Sequence, residues 1–382
     1  MNRLNKKIIY LDNAATTPID KKVAKKMYFY LKNYFGNPAS THYLGLKVNQ
    51  DIIKSRKTII KILGGTDPNN IIFTSTASES NNLAIKGIIY NYQCKKHIIT
   101  CVSEHKSILE TCFFLEKKKL CDITYLKINK YGLIDLTILE NSIKNETILV
   151  SIMHINNEIG VIQNIKKIGK ICKKHNILFH VDATQSIGKF YINVLDMNID
   201  LMSFSAHKFY GPKGIGILYT KFNNLIPLIH GGAQENNIRS GTLATHQIIG
   251  LTEALHLSYM NYQKNLLKIT KFKQILWNGI KNIKDIYING DFKNSTPYII
   301  NIRFNNIFNK LLLTEMQNIA VSISSACTSN NYQDSHVLQA LGLTTKEIQS
   351  SIRISFGKFN TIHDINNTII TIHKAIKKLK II

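Results

Sequence analysis

Lys208 closes the stretch Ser203-Phe204-Ser205-Ala206-His207-Lys208, and Gly211-Pro212-Lys213-Gly214 breaks the chain just beyond it. An amine leaving a short buried strand, with the Ser205 hydroxyl and the His207 imidazole beside it, has the surroundings of a lysine that bonds to a carbonyl and holds a phosphorylated cofactor. A loop lysine in a lysine-rich chain is ordinarily just solvated, so the reading needs further residues. They occur at the same kind of place. The apolar run 97–102 gives way to Ser103-Glu104-His105-Lys106, and 148–153 to His154-Ile155-Asn156-Asn157-Glu158. The run 177–181 gives way to Asp182-Ala183-Thr184-Gln185.

Short apolar runs rich in β-branched residues, separated by helical stretches, predict an α/β fold with a mostly parallel sheet buried on both faces. In open sheets of that kind ligands sit beyond the carboxyl ends of the strands. His105, Asn157, Asp182, Gln185 and Lys208 are therefore expected to converge on one crevice. A further strand over 71–73 leads through Thr74-Ser75-Thr76-Ala77-Ser78-Glu79 into an apolar helical segment. Thr76 and Glu79 have capping-box spacing, and the free N–H groups of a helix start make an anion seat at the same sheet edge.

The 382 residues suffice for a large core and two domains, and 44% hydrophobic residues speak for a globular chain. No apolar run reaches membrane-spanning length, and the basic N-terminus lacks the apolar core of a signal peptide; the expectation is a cytoplasmic protein. None of the six cysteines forms a C-x-x-C pair or a zinc-ligand spacing, so they read as reduced thiols. Cys327 differs, lying in the small polar stretch 322–331 where a thiol is accessible as a nucleophile. The formal charge of +25 comes from scattered lysines that accompany heavy use of Ile and Asn. In 165–174, for example, Ile165, Ile168 and Cys172 make an apolar stripe under a solvated lysine face. No nucleic-acid motif accompanies the charge.

Taken in order, Tyr10-Leu11-Asp12-Asn13-Ala14-Ala15-Thr16-Thr17-Pro18, Phe35-Gly36-Asn37-Pro38-Ala39-Ser40, Ser103-Glu104-His105-Lys106, Asn156-Asn157-Glu158-Ile159-Gly160, His180-Val181-Asp182-Ala183-Thr184-Gln185, Arg239-Ser240-Gly241-Thr242 and Ser325-Ala326-Cys327-Thr328-Ser329 resemble the cysteine desulfurases. The resemblance is to their housekeeping iron–sulfur-cluster, IscS/NifS-like branch within the class-V aminotransferases. It implies the aspartate-aminotransferase-like fold type I of pyridoxal-phosphate enzymes: a large domain over 16–262 with a mostly parallel seven-stranded sheet, and a smaller α/β domain from 1–15 and 263–382 carrying a cysteine loop at about 322–333. It implies release of alanine from L-cysteine with a persulfide left on Cys327, supplying iron–sulfur clusters and tRNA thiolation. Cys327 would also contact a nascent cluster transiently, with no catalytic metal. Lys208 would hold pyridoxal 5'-phosphate and shuttle protons, Asp182 would pair with the ring nitrogen, Gln185 with the ring oxygen, and His105 would stack on the ring. Ala77, Ser78, Ser205 and His207 would cradle the phosphate, joined by Thr242 from the second subunit of a homodimer. Arg353, helped by Asn157, would clamp the substrate carboxylate. The chain ends at Ile382, short of the segment with which such relatives dock the scaffold protein, and that contact is not carried over. Ala206 and Ala233 stand where relatives often have glycine, and the approach to the cysteine is poor in glycine.

Overall fold

A computed structural model describes residues 8–93, 96–323, 327–328, 331–332 and 334–379. The chain starts with the short strand β1 (Ile9–Tyr10), followed by helices α1 (Lys21–Asn33) and α2 (Tyr43–Ile62). Then come β2 (Ile71–Thr74), α3 (Ala77–Ile89), β3 (His97–Cys101), α4 (Lys106–Lys117), β4 (Asp122–Leu126) and α5 (Leu136–Asn141). They are followed by β5 (Thr147–Ser151), α6 (Ile165–Lys174), β6 (Leu178–Asp182), β7 (Leu201–Ser205), β8 (Gly216–Thr220), α7 (Thr245–Met260) and α8 (Tyr262–Ile280).

Strands β2 to β8 form the seven-stranded sheet in the order β2-β8-β7-β6-β5-β3-β4. Every pairing is parallel except those of β8, which runs antiparallel to β2 and β7. Strands β2, β3, β7 and β8 are buried along their whole length, as a sheet covered on both faces requires. The two-residue period decides which layer each side chain joins. Ile72, Ile98, Leu149, Leu201 and Leu218 pack with α3 and α4. Their neighbours Ile71, Ile99, Val150, Met202 and Ile217 pack with α2, α6 and α7 on the other face. The stripe expected in α6 is as read, with Ile165, Ile168 and Cys172 buried.

A second core lies against an antiparallel sheet of β9 (Ile286–Ile288), β10 (Ile299–Phe304), β12 (Ser322–Ile323) and β15 (Ser351–Ser355), in the order β12-β15-β10-β9. Its apolar residues come from 9–14 and from 269–376, including α8 and α12 (Ile362–Leu379). Strand β11 (Ile319–Ala320) pairs with β1 in parallel, and Leu11 accepts a hydrogen bond from the Ser355 N–H at 2.7 Å. Residues 9–11 are thus sewn to strands β11 and β15.

Two expectations need correction here. Ser322 and Ile323, expected at the start of the cysteine loop, are in register with Arg353 and Ile352 as β12. The pairing extends the small sheet by one short edge strand. At α3 the capping box is only half made. Thr76 Oγ1 accepts from the Glu79 N–H at 3.1 Å, but the Glu79 carboxylate passes over Thr76 to accept from the Ser75 N–H at 2.7 Å and Arg239 Nε at 2.8 Å. A guanidinium offers that carboxylate a stronger partner than a lone amide.

Candidate functional site

A cavity of about 630 Å³ opens at the carboxyl ends of the parallel strands, within the size range of small-molecule sites. Ten of the twelve predicted residues line it, each for a local reason. His105 caps α4 just after β3, Asp182 ends β6, and Gln185 follows one turn later. Ser205 ends β7, and His207 and Lys208 occupy the short 3-10 turn that follows it. Ala77 and Ser78 form the first turn of α3, whose initial N–H groups have no acceptor within the helix. Asn157 and Arg353 also line the cavity.

Lys208 Nζ donates to the carbonyls of Ala14 and Ala15, both at 2.7 Å. Burial is the main cause that pulls this amine down to about 8, and the Arg353 charge adds to it; Asp182 and Asp12 pull the other way. Such an amine loses its proton near neutrality and becomes a nucleophile. Asp182 is 6% exposed and accepts from Asn81 Nδ2 and from the Thr184 N–H, each at 2.9 Å. His105 opens onto the cavity while protein surrounds it on most sides, and burial lowers its pKa. Its Nδ1 accepts from the Ser107 N–H at 3.1 Å, which leaves the proton of the neutral ring on Nε2.

Arg353 Nη1 donates to the Asn157 carbonyl at 2.9 Å and Nη2 to Asp12 Oδ1 at 2.8 Å. Asn157 therefore holds the arginine through its backbone, a role its side-chain chemistry did not suggest. Ser205 donates its hydroxyl proton to the Ile215 carbonyl at 3.1 Å, and His207 Nδ1 lies 3.1 Å from Thr16 Oγ1. Burial, with the lysines around it, pulls His207 down to about 4.

Thr242 stands apart. It lies beside a smaller cavity of about 220 Å³ with Asn37, Pro38 and Arg56, outside the wall that Lys208 shares. Cys327 enters β13 (Cys327–Thr328), which pairs with β14 (Asn331–Tyr332), but its side chain and most of the cysteine loop lie outside the described residues. Cys101, Cys112, Cys121 and Cys172 are buried, and burial pushes every one of these thiols up, Cys101 and Cys121 to about 12. Residues not singled out from the sequence complete the wall: Asn81 holding Asp182, Asp12 holding Arg353, and the Ala14 and Ala15 carbonyls. Asn81 carried a signal, since it follows Ala77 by one helical turn and so faces the same way.

The buried amines fix a pH response. Burial pulls Lys189 to about 7, and Lys208 and Lys273 to about 8, all from 10.5. Between those values the unfolded chain binds more protons than the folded one, so stability rises with pH. Four carboxylates raised by burial oppose this, Glu104 pushed furthest and Glu158, Asp200 and Glu235 with it. From about 9 the exposed thiols of the unfolded chain also oppose it. The urea midpoint of cofactor-free protein is expected to be higher at pH 8 than at pH 7; an equal or lower midpoint would contradict the arrangement.

Residues 9–368 match the aminotransferase class-V model, and the chain belongs to that family. Within it the chain is an IscS/NifS-like cysteine desulfurase, and so a pyridoxal-phosphate enzyme of fold type I. Cysteine desulfurase IscS of Buchnera aphidicola subsp. Acyrthosiphon pisum (strain 5A) is 48% identical over 379 residues, covering 97% of this chain and 93% of its own. The IscS of Salmonella paratyphi B is 46% identical over the same shares. Among solved structures, a NifS-like protein at 35% identity gives a TM-score of 0.90 over 98% of this chain and 100% of its own. SspA in complex with cysteine, at 38% identity, gives 0.82 over 92% and 100%.

The wall suits pyridoxal phosphate. Asn81 Oδ1, Thr184 Oγ1 and Arg353 Nε are buried at the cavity without a protein partner. A carboxylate, an amine and a helix start also face the cavity, which is the donor set for a ring nitrogen, an aldehyde and a phosphate.

Proposed function

We propose that this chain takes sulfur from L-cysteine, releasing L-alanine and leaving a persulfide on Cys327, and that the persulfide feeds iron–sulfur cluster assembly and tRNA thiolation. The desulfurase activity follows from the family. The assignment to particular residues is carried by one observation: the Lys208 amine, the Asp182 carboxylate, the start of α3 and the Arg353 guanidinium line one cavity.

Bound pyridoxal phosphate supplies an electron sink for the substrate α-carbon. Ala77 and Ser78 offer backbone N–H groups to its phosphate, with Ser205 and His207 alongside. Asp182 accepts from a protonated ring nitrogen and keeps that charge in place. Lys208 removes and returns the proton at the α-carbon, a task matched to an amine near 8. His105 would lie against the ring, with its Nε2 proton free to be presented there. Arg353 uses two of its five donors on Asn157 and Asp12, which leaves enough for a substrate carboxylate to be held by two hydrogen bonds. The Cys327 thiolate attacks the substrate sulfur. The C–S bond breaks, an S–S bond forms, and a proton replaces sulfur on the β-carbon, so cysteine and thiol give alanine and persulfide.

Thr242 belongs, on this reading, to the phosphate seat of a second copy, which makes the enzyme a homodimer. Two cores, one within 23–255 and one drawn from 9–14 and 269–376, support a cofactor domain over 16–262 and a smaller one from 1–15 and 263–382. No described helix is long and apolar enough to cross a membrane, and we assign the enzyme to the cytoplasm.

The test is alanine formation from L-cysteine with pyridoxal phosphate and a thiol reductant. The native chain should form alanine. Cys327→Ala should lose the activity by at least about 100-fold while keeping the visible absorption of the bound cofactor. Equal rates from both would remove Cys327 from the mechanism.

A further inference from the structure

Behind the cavity wall lies an amine that the mechanism leaves unused. Lys189 is 5% exposed, on the helical turn that follows β6, where the Ser186 and Ile187 N–H groups bond the Ala183 carbonyl and the Lys189 and Phe190 N–H groups bond that of Ser186. That turn puts Lys189 on the same side as Gln185, four residues earlier. Lys189 Nζ donates to Gln185 Oε1 at 3.0 Å, and the ammonium sits 5.5 Å from the centre of the Tyr298 ring. Gln185 Nε2 in turn donates to the Ala14 carbonyl at 2.8 Å, the same oxygen that accepts from Lys208 Nζ at 2.7 Å.

A glutamine amide can be turned over at little steric cost, and its two ends differ only in hydrogen-bonding sense. Here the sense is set from both sides. Lys189 offers two N–H donors when neutral and three when charged, and it donates to the oxygen end of the amide. The Ala14 carbonyl has an acceptor and no donor, so the end facing it must be nitrogen. The reversed amide would set its oxygen against the Ala14 carbonyl oxygen and take from the Lys189 donor its acceptor. One amide hydrogen is used on Ala14, and the other remains on the cavity side that Gln185 lines.

We propose that Lys189 is a positioning residue for the cofactor pocket: it locks the Gln185 amide so that the NH2 end, and never the oxygen, is presented to the cofactor's ring oxygen. This rests on the reading that pyridoxal phosphate is bound through Lys208 with its ring oxygen at Gln185. A donor at that oxygen shares its negative charge and leaves less of it to hold a proton on the Lys208 nitrogen. The pH midpoint of the bound cofactor's visible absorption therefore reports which way the amide points. Of the other charged groups bearing on Lys189, Arg353 keeps its charge throughout, and Lys208 carries the nitrogen whose titration is followed.

Holoprotein is titrated from about pH 6 to about pH 10, following the visible band, for the native chain, Lys189→Met, Gln185→Met and the double variant. Methionine fills the lysine's volume, and Lys189→Leu serves if the methionine variant does not fold. The expected result is a rise of the midpoint by about one pH unit in Lys189→Met, the worth of one hydrogen bond to a charged oxygen. In the Gln185→Met background the same change should move the midpoint little, because the two residues act as one unit. An unchanged midpoint in Lys189→Met, whatever its melting temperature, overturns the proposal. An equal rise in both backgrounds also overturns it, since Lys189 would then act by charge through space. Native protein with no titrating band would sink the cofactor reading and this inference together, whereas a native band with an indifferent variant sinks the inference alone.

Discussion

Alanine formation from L-cysteine is expected to fall by about 10⁴-fold when Lys208 is replaced by alanine, the size of effect that positioned proton transfer supplies. The loss should come without unfolding. The side chain projects into a cavity, so truncation leaves no collapsed core behind it, and it removes a buried amine whose charged form the fold disfavours. The Ala14 and Ala15 carbonyls it releases face that same cavity. Circular dichroism and melting temperature should therefore stay at native values while the rate collapses. Pyridoxal phosphate should still bind through the remaining wall, but with the absorption of a free aldehyde. A variant retaining a tenth or more of the native rate would show that the proton is moved by another group, with His105 the nearest alternative.

The largest expected effect on stability lies away from the cavity. Glu235 has a fully buried carboxylate that pairs with Arg56 and accepts the Phe73 N–H at 2.6 Å. Arg56 also donates to the Ile71 carbonyl and lies over the Phe73 ring, 4.7 Å from its centre. Strand β2 is an edge of the large sheet, and these two side chains satisfy backbone groups that the edge would otherwise present bare. They also fix residues 235–237, each with a positive φ between 52° and 64° although none is glycine. Arg56→Met should cost about 3–5 kcal/mol, because it strands a charge in the interior. Removing both partners, as in Arg56→Met with Glu235→Leu, should cost less than the single change. Urea unfolding of the two variants decides this, and a single-variant loss below about 1 kcal/mol would show that the pair is hydrated.

Much of the sheet was legible because its strands are short, apolar along their length and followed at once by polar residues, as in 97–105 and 177–185. The convergence of His105, Asp182, Gln185 and Lys208 followed from strand direction alone. What escaped was of another kind. The acceptors for Lys208 are backbone carbonyls, which any residue has, so Ala14 and Ala15 carried no chemical signature. The same holds for Asn157, which grips Arg353 by its main chain. Glu79 was legible as a capping partner only so long as Arg239, 160 residues away in sequence, was not known to compete for it. Lys189 read as one more lysine in a lysine-rich chain, since nothing in the neighbouring letters says that its turn faces inward.

The bond from Arg353 to Asp12 spans 341 residues, and it sets an order of events during synthesis. Asp12, Ala14 and Ala15 leave the ribosome long before the strand that anchors them, β15. At about 5–20 residues per second the early segment waits roughly 20–70 s for its partners. The large sheet can meanwhile form from residues already available. A growing chain can thus complete its main core well before the lysine amine is gripped by the two alanine carbonyls. Competence to hold the cofactor correctly would then arrive only after β15 has been made, so that chains short of it carry no working site.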